Sequence, residues 1–363
     1  MSQLPRTEGV LAEHQASGEH TGALLSVSLR GQVLRWSHGE MRPGVAMIRE
    51  AVIPWLSAGK PLTAVSVAQL WEQERLGLDE AVAKWVPAFA SRGKESITLR
   101  HVLTHTGGFR SLFDLEGRAD SWDDAVHRVC AGRLERDWVP GRRAAYQARS
   151  GWQILGEIVR VVSGLAPEAY VARHVLRLAG MEQTWLWADD KVVLAVGDHL
   201  APLADTSGAE PVAPDEVTAP YCSPGAGACG TVDDLRRFYE MLLSGGRGED
   251  GQSSVLLPTT VAALTARHRT GVMDESFRHV VDWGLGFVLD SNQYGADTVP
   301  YGYGRHCSPR TFGHGGSQCC TGFADPEHGL AVAIAVNGRP GEGAHKRRFR
   351  RALSALYEDL ELN

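Results

Sequence analysis

The chain is 363 residues long, 43% hydrophobic and 22% charged, which fits a globular protein with a sizeable core and excludes a disordered or fibrous one. At roughly 100–200 residues per domain, this length suits two domains, sequential or interleaved, or one large domain with insertions. With 37 Lys and Arg against 43 Asp and Glu the formal charge is −6, so the overall field favours neither a nucleic-acid partner nor an anionic membrane.

The first residues, MSQLPRTEGVLAEHQASGEH, hold charges and no apolar core, so no signal peptide is expected. No later run approaches the roughly 18 apolar residues of a membrane span, and the expected location is cytoplasmic. Residues 23–36 (ALLSVSLRGQVLRW) read as two strands about a turn at Arg30-Gly31, an antiparallel hairpin. Residues 62–76 place Leu62, Val65, Trp71 and Leu76 near the helical period and predict a helix closed by Gly77. Further helices are predicted over about 98–104, 122–132 and 151–163, the last ended by Gly164. Another spans 232–243, with an acidic first turn and Gly245-Gly246 as its stop. Segments 283–289, 310–324 and 329–337 read as strands, and GLAVAIAVN is apolar enough to be central. Residues 344–360 form an amphipathic helix with Phe349, Leu353, Leu356 and Leu360 on one face. The basic run Lys346 to Arg351 reads as the solvated face of that helix.

Strands at both ends with helices between them predict an α+β fold. Residues 1–60 and 230–363 would form one antiparallel sheet flanked by terminal helices. Residues 61–229 would form an inserted helical lobe, with an active-site cleft between the two.

The cysteines Cys130, Cys222, Cys229, Cys307, Cys319 and Cys320 are too sparse for a disulfide scaffold and lack paired C-x2-C spacing, so reduced core thiols are expected. His101 and His105 are spaced to share a helix face, yet no third ligand accompanies them and no metal is expected. Trp283-Gly284-Leu285-Gly286-Phe287 has no following helix, which excludes a dinucleotide fingerprint, and no cofactor is implied. Trp122, Trp138, Trp152, Trp185 and Trp187 fall in the helical part, as core or as walls of an acyl pocket.

Acyl transfer needs a hydroxyl beside a base, and Ser-x-x-Lys on a helix puts both side chains on one face. The pattern occurs at Ser57-Ala58-Gly59-Lys60 and at Ser91-Arg92-Gly93-Lys94. Pro61 favours the first, because proline is tolerated only in the first helical turn, so a helix must start near Ser57. A hydroxyl there sits at the positive helix end, and the apolar AVIPWL before it implies burial, which lowers a lysine pKa toward the neutral base. Taken alone, the pattern also fits an N-cap serine beside an exposed lysine. Gly315-Gly316-Ser317-Gln318-Cys319 lacks the final glycine of an α/β-hydrolase elbow.

SAGKPLTAVSVAQLWEQERLGLDEAVAKWVP with ITLRHVLTHTGGF resembles the nucleophile segment of the serine β-lactamase and penicillin-binding-protein superfamily, in its class C and family VIII esterase branch. AAYQARSGWQILGEIVRVVSG resembles the tyrosine motif, and FGHGGSQCCTGFADPEHGLAVAIAVNG the third motif on a sheet strand. The resemblance spans roughly residues 20–360 and implies a β-lactamase/transpeptidase-like fold. It makes Ser57 the acylated nucleophile, Lys60 its base or the base's partner, and Tyr146 a second base whose phenolate the lysine would favour. His314, Gly315 and Gly316 stand where the family carries Lys-Thr-Gly, and the N–H groups of Ser317 and Ser57 would be oxyanion donors. Gln147 and Trp152 complete the expected substrate side. The family's Tyr-x-Asn reads Tyr146-Gln147-Ala148, and His314 removes a permanent cation unless protonated. The resemblance therefore implies a carboxylesterase or an amide- or ester-forming transacylase, as in antibiotic biosynthesis, ahead of a β-lactamase or D-amino-peptidase. Its partners would be a small acyl donor and water or a small nucleophile. A binding module with the same fold is the non-enzymatic alternative. Oligomeric state is left open.

Overall fold

The computed structural model describes residues 3–109, 119–208 and 221–362. Helices are α1 (Pro5–Ala16), α2 (Lys60–Glu72), α3 (Leu99–Leu103), α4 (Trp122–Ala131), α5 (Ser150–Ser163), α6 (Pro167–Val171), α7 (Asp190–Val196), α8 (Val232–Leu243), α9 (Pro258–Thr265) and α10 (Glu342–Asp359). The long strands are β1 (Gly22–Leu29) and β2 (Gln32–Arg42), followed by short β3 (Val45–Ala46), β4 (Ile53–Pro54), β5 (Thr184–Trp185), β6 (Ala204–Asp205) and β7 (Cys229–Gly230). The C-terminal part adds β8 (Met273–Asp274), β9 (His279–Val280), β10 (Val288–Leu289), β11 (Phe312–Gly315), β12 (Cys320–Asp325), β13 (Leu330–Val336) and β14 (Gly338–Arg339).

Both ends of the chain meet in one α+β sheet, ordered β10-β11-β12-β13-β1-β2-β3. Within it β1 pairs antiparallel with β2 and with β13, Val27 opposite Val332. The period of two along β13 decides what covers each face. Val332, Ile334 and Val336 pack with Leu11 of α1 and with Phe349, Leu353 and Leu356 of α10. Ala331, Ala333 and Ala335 face the other core, which includes Leu235 and Tyr239 of α8. Small residues let α8 come close: a Cβ on Gly322 would lie 2.4 Å from the Tyr239 ring. Helix α2 is buried on every side from Lys60 to Leu70 and packs against α5 and α6, and its buried Thr63, Ser66 and Gln69 donate to carbonyls. No helix among the described residues is long and apolar enough to cross a membrane.

Several local expectations shift. Helix α1 carries only Val10 and Leu11 as large apolar residues, too thin a stripe to read, and Pro5 opens it. The helix expected over 62–76 ends at Glu72 instead of reaching Gly77. Glu74 takes the left-handed position at φ +58° and the Arg75 N–H closes on Leu70 O at 3.0 Å, while the Gly77 N–H donates to Glu80. Segment 310–324 divides into β11 and β12 about a turn at 316–319. The run Lys346 to Arg351 is not wholly a solvated face, because Arg348 is fully buried. His101 and His105 do not share a helix face, since α3 stops at Leu103 and His105 has φ +56°. All six cysteines are buried and unpaired.

Candidate active site

The chain reaches Ser57 through β4, which pairs with β7, and through Trp55, whose main chain and indole donate to Ala228 and Gly230. Leu56 then takes φ +50°, and a single 3-10 turn over Leu56–Gly59 leads into α2 with Pro61 in its first turn. Side chains three apart eclipse one another in a 3-10 turn, so this geometry brings Ser57 and Lys60 together. Lys60 Nζ stands 2.8 Å from Ser57 Oγ and donates to Gly225 O at 2.6 Å. The Tyr146 hydroxyl donates to Ser57 Oγ at 2.8 Å. Ser57 is half-buried, whereas Lys60 is 0% exposed.

Protonation follows from burial. The Lys60 amine is held well below its ordinary 10.5, first by burial and then by the Arg149 charge. Burial pushes the Tyr146 phenol up from 10, against a smaller opposing effect of its bond to Ser57. Burial thus biases Lys60 toward the neutral amine and Tyr146 toward the protonated phenol, the opposite direction from a lysine cation beside a phenolate.

Tyr146 is placed by partners the sequence did not reveal. Its N–H donates to Asp274 Oδ1 at 3.0 Å, and the same carboxylate accepts from Ser276, Phe277 and Arg269 at 3.0–3.1 Å. The ring stacks on Phe277 at 4.9 Å and leans on His105 at 4.7 Å. His105 Nδ1 accepts the Gln147 N–H at 3.1 Å. Asp274 and Arg269 are both buried, so Asp274→Ala would leave the guanidinium uncompensated and free three N–H groups around Tyr146. The expected cost is about 3–5 kcal/mol of folding stability, read by urea unfolding; less than about 1 kcal/mol would sink this role.

The remaining expected residues divide. His314 lies on β11, buried beside Tyr146 and Trp283. Its Nδ1 lies 2.8 Å from Gly315 O, which makes Nδ1 the protonated nitrogen and leaves Nε2 without a partner. Burial, with Lys60 next, holds the ring down to about 3, so it is an uncharged imidazole at neutral pH. Gly316 abuts the entry to the nucleophile: a Cβ there would lie 2.2 Å from Trp55 O. Ser317 is exposed and its hydroxyl donates to Glu342 at 3.3 Å. Gln147 spends its side-chain amide on Phe109 O. Trp152 is a correction: it is 1% exposed on α5, with Lys60 Nζ 5.6 Å from its ring, and so walls the lysine rather than a substrate. At the second Ser-x-x-Lys, buried Lys94 donates to the carbonyls of Ser91, Cys130 and Gly132 and ignores the Ser91 hydroxyl.

Known proteins resemble this chain over most of its length. Penicillin-binding protein 4 of Amycolatopsis lactamdurans is 28% identical over 97% of this chain and 88% of its own. Esterase EstB of Burkholderia gladioli is 28% identical over 93% of this chain and 91% of its own. The solved structure of EstCE1, a hydrolase with promiscuous acyltransferase activity, shares the fold with a TM-score of 0.78 and 21% identity, over 97% of this chain and 98% of that one. The Beta-lactamase family profile matches residues 7–357, and with that length covered the chain belongs to the Beta-lactamase family.

Proposed function

We propose that the protein is a serine acyl-enzyme hydrolase or acyltransferase that acts on a small ester, thioester or amide through acyl-Ser57. The observation that carries this reading is the Ser57 Oγ set at 2.8 Å from both Lys60 Nζ and the Tyr146 hydroxyl. Neutral Lys60 accepts the Ser57 proton as Oγ attacks the carbonyl, and its bond to Gly225 O keeps the lone pair turned toward the serine. The oxyanion is received by the N–H groups of Ser57 and Ser317. Tyr146, protonated at rest, hands its proton to the departing alcohol, thiol or amine and recovers one from the Lys60 ammonium. Water or a small nucleophile then attacks the acyl-serine with the same groups in reverse.

Ala148 occupies the place two residues after Tyr146 and offers no amide to a bound substrate, which disfavours β-lactam turnover. EstB and EstCE1 support ester cleavage with acyl transfer as the companion reaction. A fluorophosphonate probe is expected to add its mass to the intact protein at Ser57, and to leave Ser57→Ala unmodified. Unlabelled wild-type protein would instead favour a binding module. An activated ester supplied with candidate amines separates transfer from hydrolysis by the mass of the amide.

A further inference from the structure

Three stretches of main chain converge on one buried guanidinium. Arg348 of α10 is 0% exposed and donates to the carbonyls of Glu19 at 2.7 Å, Gln318 at 2.9 Å and Gly338 at 2.7 Å. Taking a cation out of water costs several kcal/mol; the three carbonyls satisfy its two terminal nitrogens while Nε has no partner, and burial holds this one down to about 10. Glu19 precedes β1 and Gly338 follows β13, so those two bonds tie the sheet's end to α10.

The third bond reaches the turn between β11 and β12, where the proposed oxyanion donor lies. Gln318 holds φ +56° there, a left-handed conformation that costs a non-glycine residue of order 1–2 kcal/mol and persists only where its surroundings over-determine it. They do so from both sides. Its carbonyl accepts from Arg348, and its side-chain oxygen accepts the Gly341 N–H at 2.6 Å. Next to it, Ser317 Oγ donates to Glu342, whose carboxylate also takes the Tyr301 hydroxyl at 2.8–2.9 Å. On the other flank the Gly316 N–H donates to Cys320 O at 2.7 Å, and Cys320 Sγ rests 3.2 Å from Trp55 O, two residues before the nucleophile.

We infer that Arg348, together with the first turn of α10, is a positioning residue that fixes the Ser317-Gln318 turn so that the Ser317 N–H is aimed at the carbonyl under attack by Ser57. The inference rests on the acyl-serine reading above. It differs from a purely structural tie in one respect: its loss should show only where an oxyanion forms on oxygen.

A matched oxygen ester and thionoester separate the two, because the large, weakly accepting sulfur draws little from an oxyanion hole. Arg348→Met is expected to lower kcat on the ester by about 10–100-fold, less than outright removal of a donor. KM and thionoester turnover should stay near wild type, so the ester-to-thionoester ratio falls by the same factor. Gln318→Gly keeps the left-handed turn but loses the bond to Gly341, and should lower the ratio about fivefold. If Arg348→Met does not fold, Arg348→Lys takes its place, since it keeps the charge but cannot reach all three carbonyls, and the same fall in the ratio is expected. An unchanged ratio in folded variants whose Ser57 still takes a fluorophosphonate overturns the inference and leaves the acyl-serine reading standing. Wild-type protein that takes no label overturns both.

Discussion

Replacing Lys60 by methionine is expected to cut turnover about a thousandfold, within the range of a lost general base, and to raise the unfolding temperature of the same protein. The first effect follows from Lys60 Nζ being the basic group at 2.8 Å from Ser57 Oγ. The second follows from the sign of the protonation change. Between the depressed pKa of folded Lys60 and its ordinary 10.5, the unfolded chain holds a proton that the native state does not. Stability therefore rises with pH across that window, and at neutral pH the buried lysine works against folding. Methionine fills a similar volume without that penalty. In wild-type protein kcat/KM on an activated ester should rise from the acid side through the lowered lysine pKa and then level. No alkaline fall is expected up to about pH 10, since the Tyr146 phenol stays protonated there. A falling limb well below that pH would mean Tyr146 titrates as an ordinary phenol, and a less stable Lys60→Met would mean the amine is charged in the folded state.

The nucleophile was legible because its chemistry is local. Ser57, Lys60 and Pro61 lie within one turn, and the buried run before them already implies a low lysine pKa. Tyr146 lies 89 positions from Ser57, and only family resemblance connected them. What resemblance did not supply is the scaffold around the tyrosine. Asp274 is 128 positions from Tyr146 in a segment without periodicity, and His105 does its work through a lone pair offered to Gln147. Nothing in a one-dimensional pattern tells a carboxylate that collects N–H groups from one that faces water. Arg348 was misread for a different reason. A basic run suggests solvent, yet the spacing of His345, Arg348, Phe349, Ala352 and Leu356 puts Arg348 inside the apolar stripe of α10. Periodicity should have outweighed charge there. Protonation was the other gap: whether His314 replaces a lysine cation depends on its burial, which the sequence leaves undetermined.

Between pH 7.5 and pH 5 the protein is expected to lose about 4 kcal/mol of folding stability to two buried histidines. His20 and His314 are 2% and 3% exposed, and burial first of all holds each down to about 3, against an ordinary 6.5. Above 6.5 neither folded nor unfolded chain protonates them, so they contribute no pH dependence. As pH falls below 6.5 the unfolded chain takes up a proton at each that the native state refuses, and stability falls. At pH 5 the difference amounts to about 2 kcal/mol per histidine, from 1.36 kcal/mol for each pH unit below the unfolded pKa. His105 and His345 are held well below their ordinary value too and push in the same direction. Carboxylates titrate lower, and Lys60 adds no more than one proton in the same direction, so the four histidines dominate between about pH 5 and 6.5. Urea unfolding followed by tryptophan fluorescence across this range measures the slope, which should exceed one proton per molecule. His20→Gln should remove about 2 kcal/mol of the difference while leaving Ser57 reactive, because His20 sits beside Arg348 and not beside Ser57, Lys60 or Tyr146. A flat stability profile over the same window would require these imidazoles to be charged in the folded protein, and with them a cationic His314 beside Tyr146.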